Sequence, residues 1–291
     1  MKGKNISLIG IAACLLIATA IGYAGSNGGL IVGGLPVFML CGLVAFVIQW
    51  LMFVPAYRFQ TEKYYDLTGS LTYISLALGA LITSGSFEPG AILICGVVLI
   101  WALRLGSFLF ARIKADGKDG RFDKIKPDFL RFLMTWTLQA LWVFITFAAG
   151  LAAITSGKPH PISTLVVVGA LMWVFGFSVE VIADRQKSKF RETAQNRETF
   201  IRHGLWSWSR HPNYFGEIFL WSGVAVMAYP VLSGWQYVTL ISPIFVYLLL
   251  TQVSGVKMLE ARGRKRWGEN EEYKHYLKTT PALMLNPWAG R

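Results

Sequence analysis

The sequence is short of charge. Asp, Glu, Lys and Arg make up only 15% of its residues, and 54% are hydrophobic; a soluble domain carries about a quarter charged residues. A water-covered surface cannot be built in that proportion, so the chain is expected in a membrane. Cysteine is also scarce. Cys14, Cys41 and Cys95 show no CxxC spacing, which argues against a disulfide framework or a thiolate metal site, and no metal is expected. There is no linker, no low-complexity stretch and no evident internal repeat, which argues against a transporter built from inverted repeats. The one glycine cluster, Gly28-Gly29-Leu30-Ile31-Val32-Gly33-Gly34, follows no strand and is not a dinucleotide fingerprint. Any nucleotide must therefore be held by helices.

What the sequence does have is apolar runs of membrane-spanning length, about 20 residues each. They lie at Ile6–Ala24, Leu35–Tyr57, Leu71–Ser84, Ala91–Arg112, Phe132–Ile154, Ile162–Ala183, Phe215–Leu232 and Tyr237–Val256. The third is short, so it is expected either to be tilted or to borrow from the Tyr64–Gly69 turn. Lys2 and Lys4 before the first run, with Gly22-Tyr23-Ala24 after it, also fit a secretory signal, but the run is read as a span. The net charge of +12 would suggest nucleic acid on a soluble protein; here its distribution excludes that. Of the 28 Lys and Arg residues, the gaps 25–34, 85–90, 155–161 and 233–236 hold one, Lys158, and Arg104 lies inside a span. The other 26 fall in or at the edge of the N-terminus, the gaps 58–70, 113–131 and 184–214, and the C-terminal tail. Alternation of empty and basic gaps is the positive-inside pattern for an even number of crossings. The expected fold is an all-α polytopic transmembrane bundle of seven to eight helices, eight preferred. Both termini are placed in the cytoplasm, in a bacterial inner membrane or the endoplasmic reticulum. Residues 1–60 read as N-terminal membrane helices and 61–291 as a catalytic membrane domain, with a cofactor-binding part at 180–291.

Charge inside a span is costly, and such residues usually face a cavity or a partner. Arg104 sits deep in the fourth span, one turn from Trp101. Glu180 with Asp184, Asn213 with Glu217, and Lys257 with Glu260 cluster at the basic ends of the last three spans. The last two spans are joined by a short turn, which brings Asn213/Glu217 and Lys257/Glu260 to one end of a helix pair. Pro212 keeps His211 out of helical geometry and suits the first position of the next helix. The free N–H groups of that start, beside Arg210, make an anion site fit for a pyrophosphate or nucleotide; Asn213, Tyr214 and Glu217 add donors and acceptors. Salt bridging or interfacial anchoring is the plainer account of the same residues.

The run Ser209-Arg210-His211-Pro212-Asn213-Tyr214-Phe215-Gly216-Glu217 resembles the C-terminal part of the steroid 5α-reductase family. It is also similar to the sterol C14-reductases and, more loosely, to the isoprenylcysteine carboxyl methyltransferases. The resemblance extends from Asp184 and Arg191 through Gly204-Leu205 to Glu260, Arg264, Lys265, Trp267-Gly268, Tyr273, Tyr276 and Pro281, about 110 residues in all; the N-terminal half is covered thinly. It implies an NADPH-dependent reductase of a double bond conjugated to a carbonyl, acting on a lipophilic substrate such as a 3-oxo-4-ene steroid. Asn213 and Glu217 match the residues that hold the nicotinamide end, and Asp184, Arg191 and Arg104 match residues that contact the cofactor. Lys257, Glu260 and Arg264 fall on the helix that closes over it, and Arg210, His211 and Tyr214 lie in the shared motif. The family's ketone-polarising Gln-Glu pair falls on Tyr65-Asp66 and its partner Tyr on Trp101, so Tyr65 and Asp66 are the expected catalytic residues and Trp101 a substrate contact. As interface and turn residues, Tyr65 and Asp66 also have a structural reading.

Two other functions fit parts of this pattern. A methyltransferase using S-adenosylmethionine would share the Arg-His-Pro-x-Tyr core, but that cofactor has no phosphate for Arg191 and Arg264 to bind. A lipid transporter would use Arg104, Glu180 and Glu217 to line a passage, although its outer loops offer little for a gate. The expected partners are a lipophilic small molecule and membrane lipid.

Overall fold

The computed structural model describes residues 2–85 and 87–289, with Lys2 and Arg197 described by their backbone alone. It is almost wholly helical, as required where lipid leaves no water to satisfy backbone polar groups. The helices are α1 (Lys2–Gly25), α2 (Val37–Arg58), α3 (Tyr65–Ser84), α4 (Pro89–Asp116), α5 (Phe129–Thr146), α6 (Ala148–Ile154), α7 (Thr164–Glu192), α8 (Leu205–Trp208), α9 (Pro212–Ala228), α10 (Ser242–Leu248), α11 (Val256–Trp267) and α12 (Glu271–Thr279). A two-residue hairpin, Ile31–Val32 with Leu35–Pro36, joins α1 to α2. Among the described residues, eight segments are long and apolar enough to cross a membrane. Eight is the preferred count of the sequence reading.

Two spans differ in detail from the sequence expectation. The third is a full helix, because Tyr65, Asp66 and Thr68 lie inside α3 and not in a turn before it. The last is irregular: a 3₁₀ stretch over Gly234–Ile241, then α10, a π-turn over Leu249–Val253, and α11.

Contacts divide the chain into two units. The first comprises Met1–Val167 with Ala225–Ser242, the second Val168–Val224 with Pro243–Arg291. In the first unit α3 packs most extensively on α4, and α5 packs on α1 and α2. Its interior carries a polar lane that hydropathy does not reveal. Gln49 of α2, fully buried, donates to Thr72 Oγ1 of α3 at 3.0 Å, and Trp50 donates to Thr137 Oγ1 of α5 at 3.0 Å. Bonds of this kind join helices that have no hydrophobic drive to associate in lipid. At the charge-poor end, Lys158 donates to Ser233 Oγ at 2.6 Å and to the Val231 carbonyl at 3.1 Å. The single basic residue of those gaps is therefore a tie between loops. The three cysteines are free and buried.

The second unit is organised by a glycine crossing. A Cβ on Gly176 of α7 would lie 2.6 Å from the Gly216 carbonyl and the Leu220 nitrogen of α9, and one on Gly216 would lie 2.7 Å from the Glu180 nitrogen. Gly223 meets Gly169 in the same way, 2.5 Å from its carbonyl. Both helices repeat glycine after seven residues, so the two backbones touch along one seam, as small residues permit in membranes.

Two outcomes are expected. Gly176→Leu cannot be accommodated against backbone and should cost about 1–3 kcal/mol or more, read as a lower unfolding temperature in detergent, whereas Gly79→Leu, which faces open space, should be nearly silent. Single cysteines at Lys118 or Ser188 should react with a membrane-impermeant thiol reagent only after cells are opened, and one at Asn27 in intact cells; the opposite pattern would invert the topology.

Candidate functional site

Most of the polar residues singled out at the C-terminal end meet within the second unit. Gly204, at φ +62° and ψ −135°, turns the chain in a conformation that suits glycine, and a Cβ there would strike the Gln186 side chain at 2.5 Å. Gln186 accepts from the Leu205 N–H at 3.0 Å, and the Trp206 indole donates to the Ala183 carbonyl at 3.0 Å. The segment is thus pinned to α7. The C-terminal tail holds it from the other side: the Arg210 N–H donates to the Pro281 carbonyl at 2.9 Å, Tyr276 to the Trp206 carbonyl at 2.6 Å, and Ser209 to the Leu283 carbonyl at 2.9 Å.

These ties aim Arg210, His211 and α9 at α11. Arg210 Nη1 lies 3.1 Å from Glu260 Oε1 and His211 Nε2 lies 3.6 Å from the same oxygen, while Arg264 approaches Glu260 Oε2 at 3.8 Å. Tyr214 stacks on the His211 ring, 5.6 Å between centroids and 9° between planes. Asn213 Nδ2 donates to Asp184 Oδ1 of α7 at 3.3 Å. Thus Arg210, His211, Tyr214, Glu260 and Arg264 form one connected cluster, with the Asp184–Asn213 pair beside it at the start of α9. Glu217 is one helical turn further along α9 and Lys257 one turn before Glu260 on α11. Arg191 lies exposed in the last turn of α7, two turns beyond Asp184.

The cluster holds polar atoms that its own contacts leave over. Arg210 Nε and His211 Nδ1 are buried and find no hydrogen-bond partner among the described residues, while His211 Nε2 reaches only to 3.6 Å from the Glu260 carboxylate that Arg210 already holds. Buried polar groups are nearly always paired, and leaving them so costs about 1–3 kcal/mol each. A guanidinium and an imidazole beside a helix start are suited to phosphate oxygens, and Asn213 to a carboxamide. The groups present therefore fit a phosphate-bearing dinucleotide. A separate pocket of about 270 Å³, walled by Phe190, Phe200 and Trp267 with Glu198, Arg202 and Glu272 at its rim, is not lined by these residues.

The residues assigned to the substrate fall in the first unit. Asp66 stands in the first turn of α3, within electrostatic reach of Arg121 and Arg112. Tyr65 donates its hydroxyl to the Thr135 carbonyl at 3.1 Å and packs edge-on against Phe122 and Trp136 at 5.0 and 5.1 Å. Trp101 is buried on α4 and meets Tyr73 edge-to-face at 5.0 Å; Arg104 lies one turn on, its guanidinium 5.2 Å from the centre of the Phe108 ring. The sequence reading passed over the loop 117–128, which is ordered by charge. Glu62 accepts from the Asp119 N–H at 2.8 Å and pairs with Lys126, and Asp119 accepts from Arg121 Nε at 2.7 Å. Burial pushes the Asp119 carboxyl up, but the hydrogen bonds and charge of Arg121 hold it below its ordinary value. The many charges of that loop were visible in the sequence; their pairing across more than fifty residues was not.

Burial holds the His211 imidazole below its ordinary value of 6.5; Lys187 and Arg210 push the same way and Glu260 pulls against them. A depressed histidine favours the folded state when neutral, so its contribution is complete above the unfolded value and is lost as pH falls through the folded one. His160, also buried, is lowered likewise. The unfolding temperature should therefore drop as pH is taken below about 6.5, and His211→Gln should flatten that drop without abolishing it. An unchanged profile in the variant would remove His211 as a cause.

No curated protein and no solved structure matches the chain. A family model described as "Protein of unknown function (DUF1295)" matches residues 52–280, a range that takes in the α9 start, α11 and the polar residues of α3 and α4. The chain belongs to the DUF1295 family.

Proposed function

We propose that this membrane protein is an NADPH-dependent reductase that saturates a carbon–carbon double bond conjugated to a carbonyl in an apolar substrate, with 3-oxo-4-ene steroids as the first class to test. The reading is supported by the resemblance of Ser209–Glu217 and its flanks to the steroid 5α-reductases. The observation that carries it is the pair of buried polar atoms left without a hydrogen bond on Arg210 and His211, at the start of α9 beside Asn213 and Asp184.

In this proposal Arg210, His211 and Arg264 take the phosphates, and Asn213 with Glu217 takes the carboxamide end. Asp184 fixes the Asn213 amide so that its remaining hydrogen-bonding groups face the ligand. A reduced nicotinamide bound there supplies a hydride. The resemblance assigns the substrate carbonyl to Tyr65 and Asp66, with Trp101 as a substrate contact, and donors set in a dry site stabilise the negative charge that develops there. The α-carbon takes its proton from water. The basic ends of the spans face the cytoplasm, where the dinucleotide is available.

Purified protein should be stabilised by NADPH, by about 2.7 kcal/mol at a hundredfold excess over Kd, and should convert testosterone or progesterone to a dihydro product. Arg210→Ala and Asn213→Ala should each weaken NADPH at least about tenfold, or about 1.4 kcal/mol, with Arg210→Lys retaining part of the affinity. Stabilisation by S-adenosylmethionine and not by NADPH would overturn the proposal in favour of a methyltransferase.

A further inference from the structure

We propose that the groove between the start of α1 and the start of α5 binds an anionic phospholipid with a hydroxylated head, of the phosphatidylglycerol type.

The groove encloses about 540 Å³ and is lined by Lys4, Lys124, Pro127, Asp128, Phe129 and Leu130. Its two sides belong to helices that pack on each other, α1 and α5, and a Cβ on Gly10 would meet Met134 Sδ at 2.7 Å. Lys4 precedes Gly10 by as many residues as Asp128 precedes Met134, so the two helices start level and the groove lies between their ends. The loop that carries Lys124 is anchored. Phe122 is buried with Phe53, Phe132 and Trp136, and Ile125 packs against the same group. The Lys124 carbonyl accepts from Arg131 Nη1 at 3.3 Å, while its side chain is exposed.

Charge singles out this groove. In the loop 117–128, Lys118 pairs with Asp123, Arg121 with Asp119, and Lys126 with Glu62. Lys124 is the one cation of that loop without an ion pair among the described residues, and Lys4 has none there either. The carboxylate beside them, Asp128, is committed through Oδ1 to the Arg131 N–H at 3.0 Å, where it caps α5. Two ammonium groups without an internal counter-ion attract a phosphodiester. The remaining oxygen of Asp128 can accept from a hydroxyl of the head, and its charge disfavours a bare phosphate dianion.

Next to the charged rim the surface is apolar. Phe129 is half exposed in the groove, and Ile6 and Ile9 follow Lys4 along α1, both largely exposed. A ligand that satisfies both parts has an anionic head and acyl chains, which describes a lipid and not a soluble anion. Basic pockets between membrane helices at the cytoplasmic side take acidic lipid heads in this way. The N-terminus and the loop 117–128 both belong to the basic gaps of the sequence, the end that faces the cytoplasmic leaflet in the expected topology.

Native mass spectrometry of the full chain, delipidated and then offered phosphatidylglycerol or phosphatidylcholine, tests the site. Phosphatidylglycerol should be retained in preference. Lys4→Gln and Lys124→Gln should each weaken its retention about fivefold, the scale of one basic residue beside an acidic lipid, and Lys4→Arg and Lys124→Arg should keep most of it. Lys63→Gln, which removes an exposed charge from the gap 58–70, should leave retention unchanged. All five variants should unfold at the wild-type temperature in phosphatidylcholine. Equal retention of the two lipids, no loss in Lys4→Gln and Lys124→Gln, or the same loss in Lys63→Gln would overturn the site. Displacement of the lipid by inorganic phosphate would also overturn it, in favour of a soluble anion. None of these outcomes depends on the reductase reading.

Discussion

The contact on which the C-terminal cluster depends is the meeting of two bare backbones. Where Gly176 and Gly216 face each other, α7 and α9 approach more closely than any side chain would allow, and the second glycine pair, Gly169 with Gly223, keeps them parallel to that seam. One to two turns along, this separation leaves Asp184 within hydrogen-bond reach of Asn213. It also lays Glu180, almost fully buried, against the α9 backbone. Were the helices held apart by even an alanine on each side, the Asp184–Asn213 bond would open and the polar residues of α9 would lose their support.

A second constraint acts at the start of α9. His211 and Pro212 stop the chain from continuing as a helix out of α8, while the tail from Pro281 to Asn286 clasps Trp208 and Arg210 just before them through backbone bonds. The outcome is a rigid presentation of Arg210 and His211 towards Glu260, two positive or polar heads sharing one carboxylate. Such an arrangement satisfies the carboxylate's charge but not the full hydrogen-bonding capacity of its partners. It is a compromise that a helix-capping role alone would not require.

The count of eight spans was legible because it is written in averages: long apolar runs survive errors of several positions. The helical start of α3 was not. Tyr65, Asp66 and Thr68 depress local hydropathy, and only packing against α5 and α4 reveals that they belong inside a span. The C-terminal cluster was legible from local spacing, since Asn213 with Glu217 and the Arg-His-Pro turn are neighbours in the chain. Its link to Glu260 needed the hairpin that joins distant segments. The glycines at 169, 176, 216 and 223 stood in plain view, but their matching intervals mean nothing until the helices that carry them are known to pair.

The first helix shows how little of a membrane protein's sequence is fixed by its interior. Ser7, Cys14, Ile21, Gly22, Ala24 and Gly25 are buried on the side that meets the rest of the first unit, and a methyl group at Gly25 would collide with the Phe38 ring. On the other side, Ile6, Ile9, Leu16 and Ile17 are exposed, as suits a span facing lipid. Along α1 the vocabulary is accordingly divided: on the outside any greasy residue is a synonym for any other, and on the inside a single carbon atom changes the meaning.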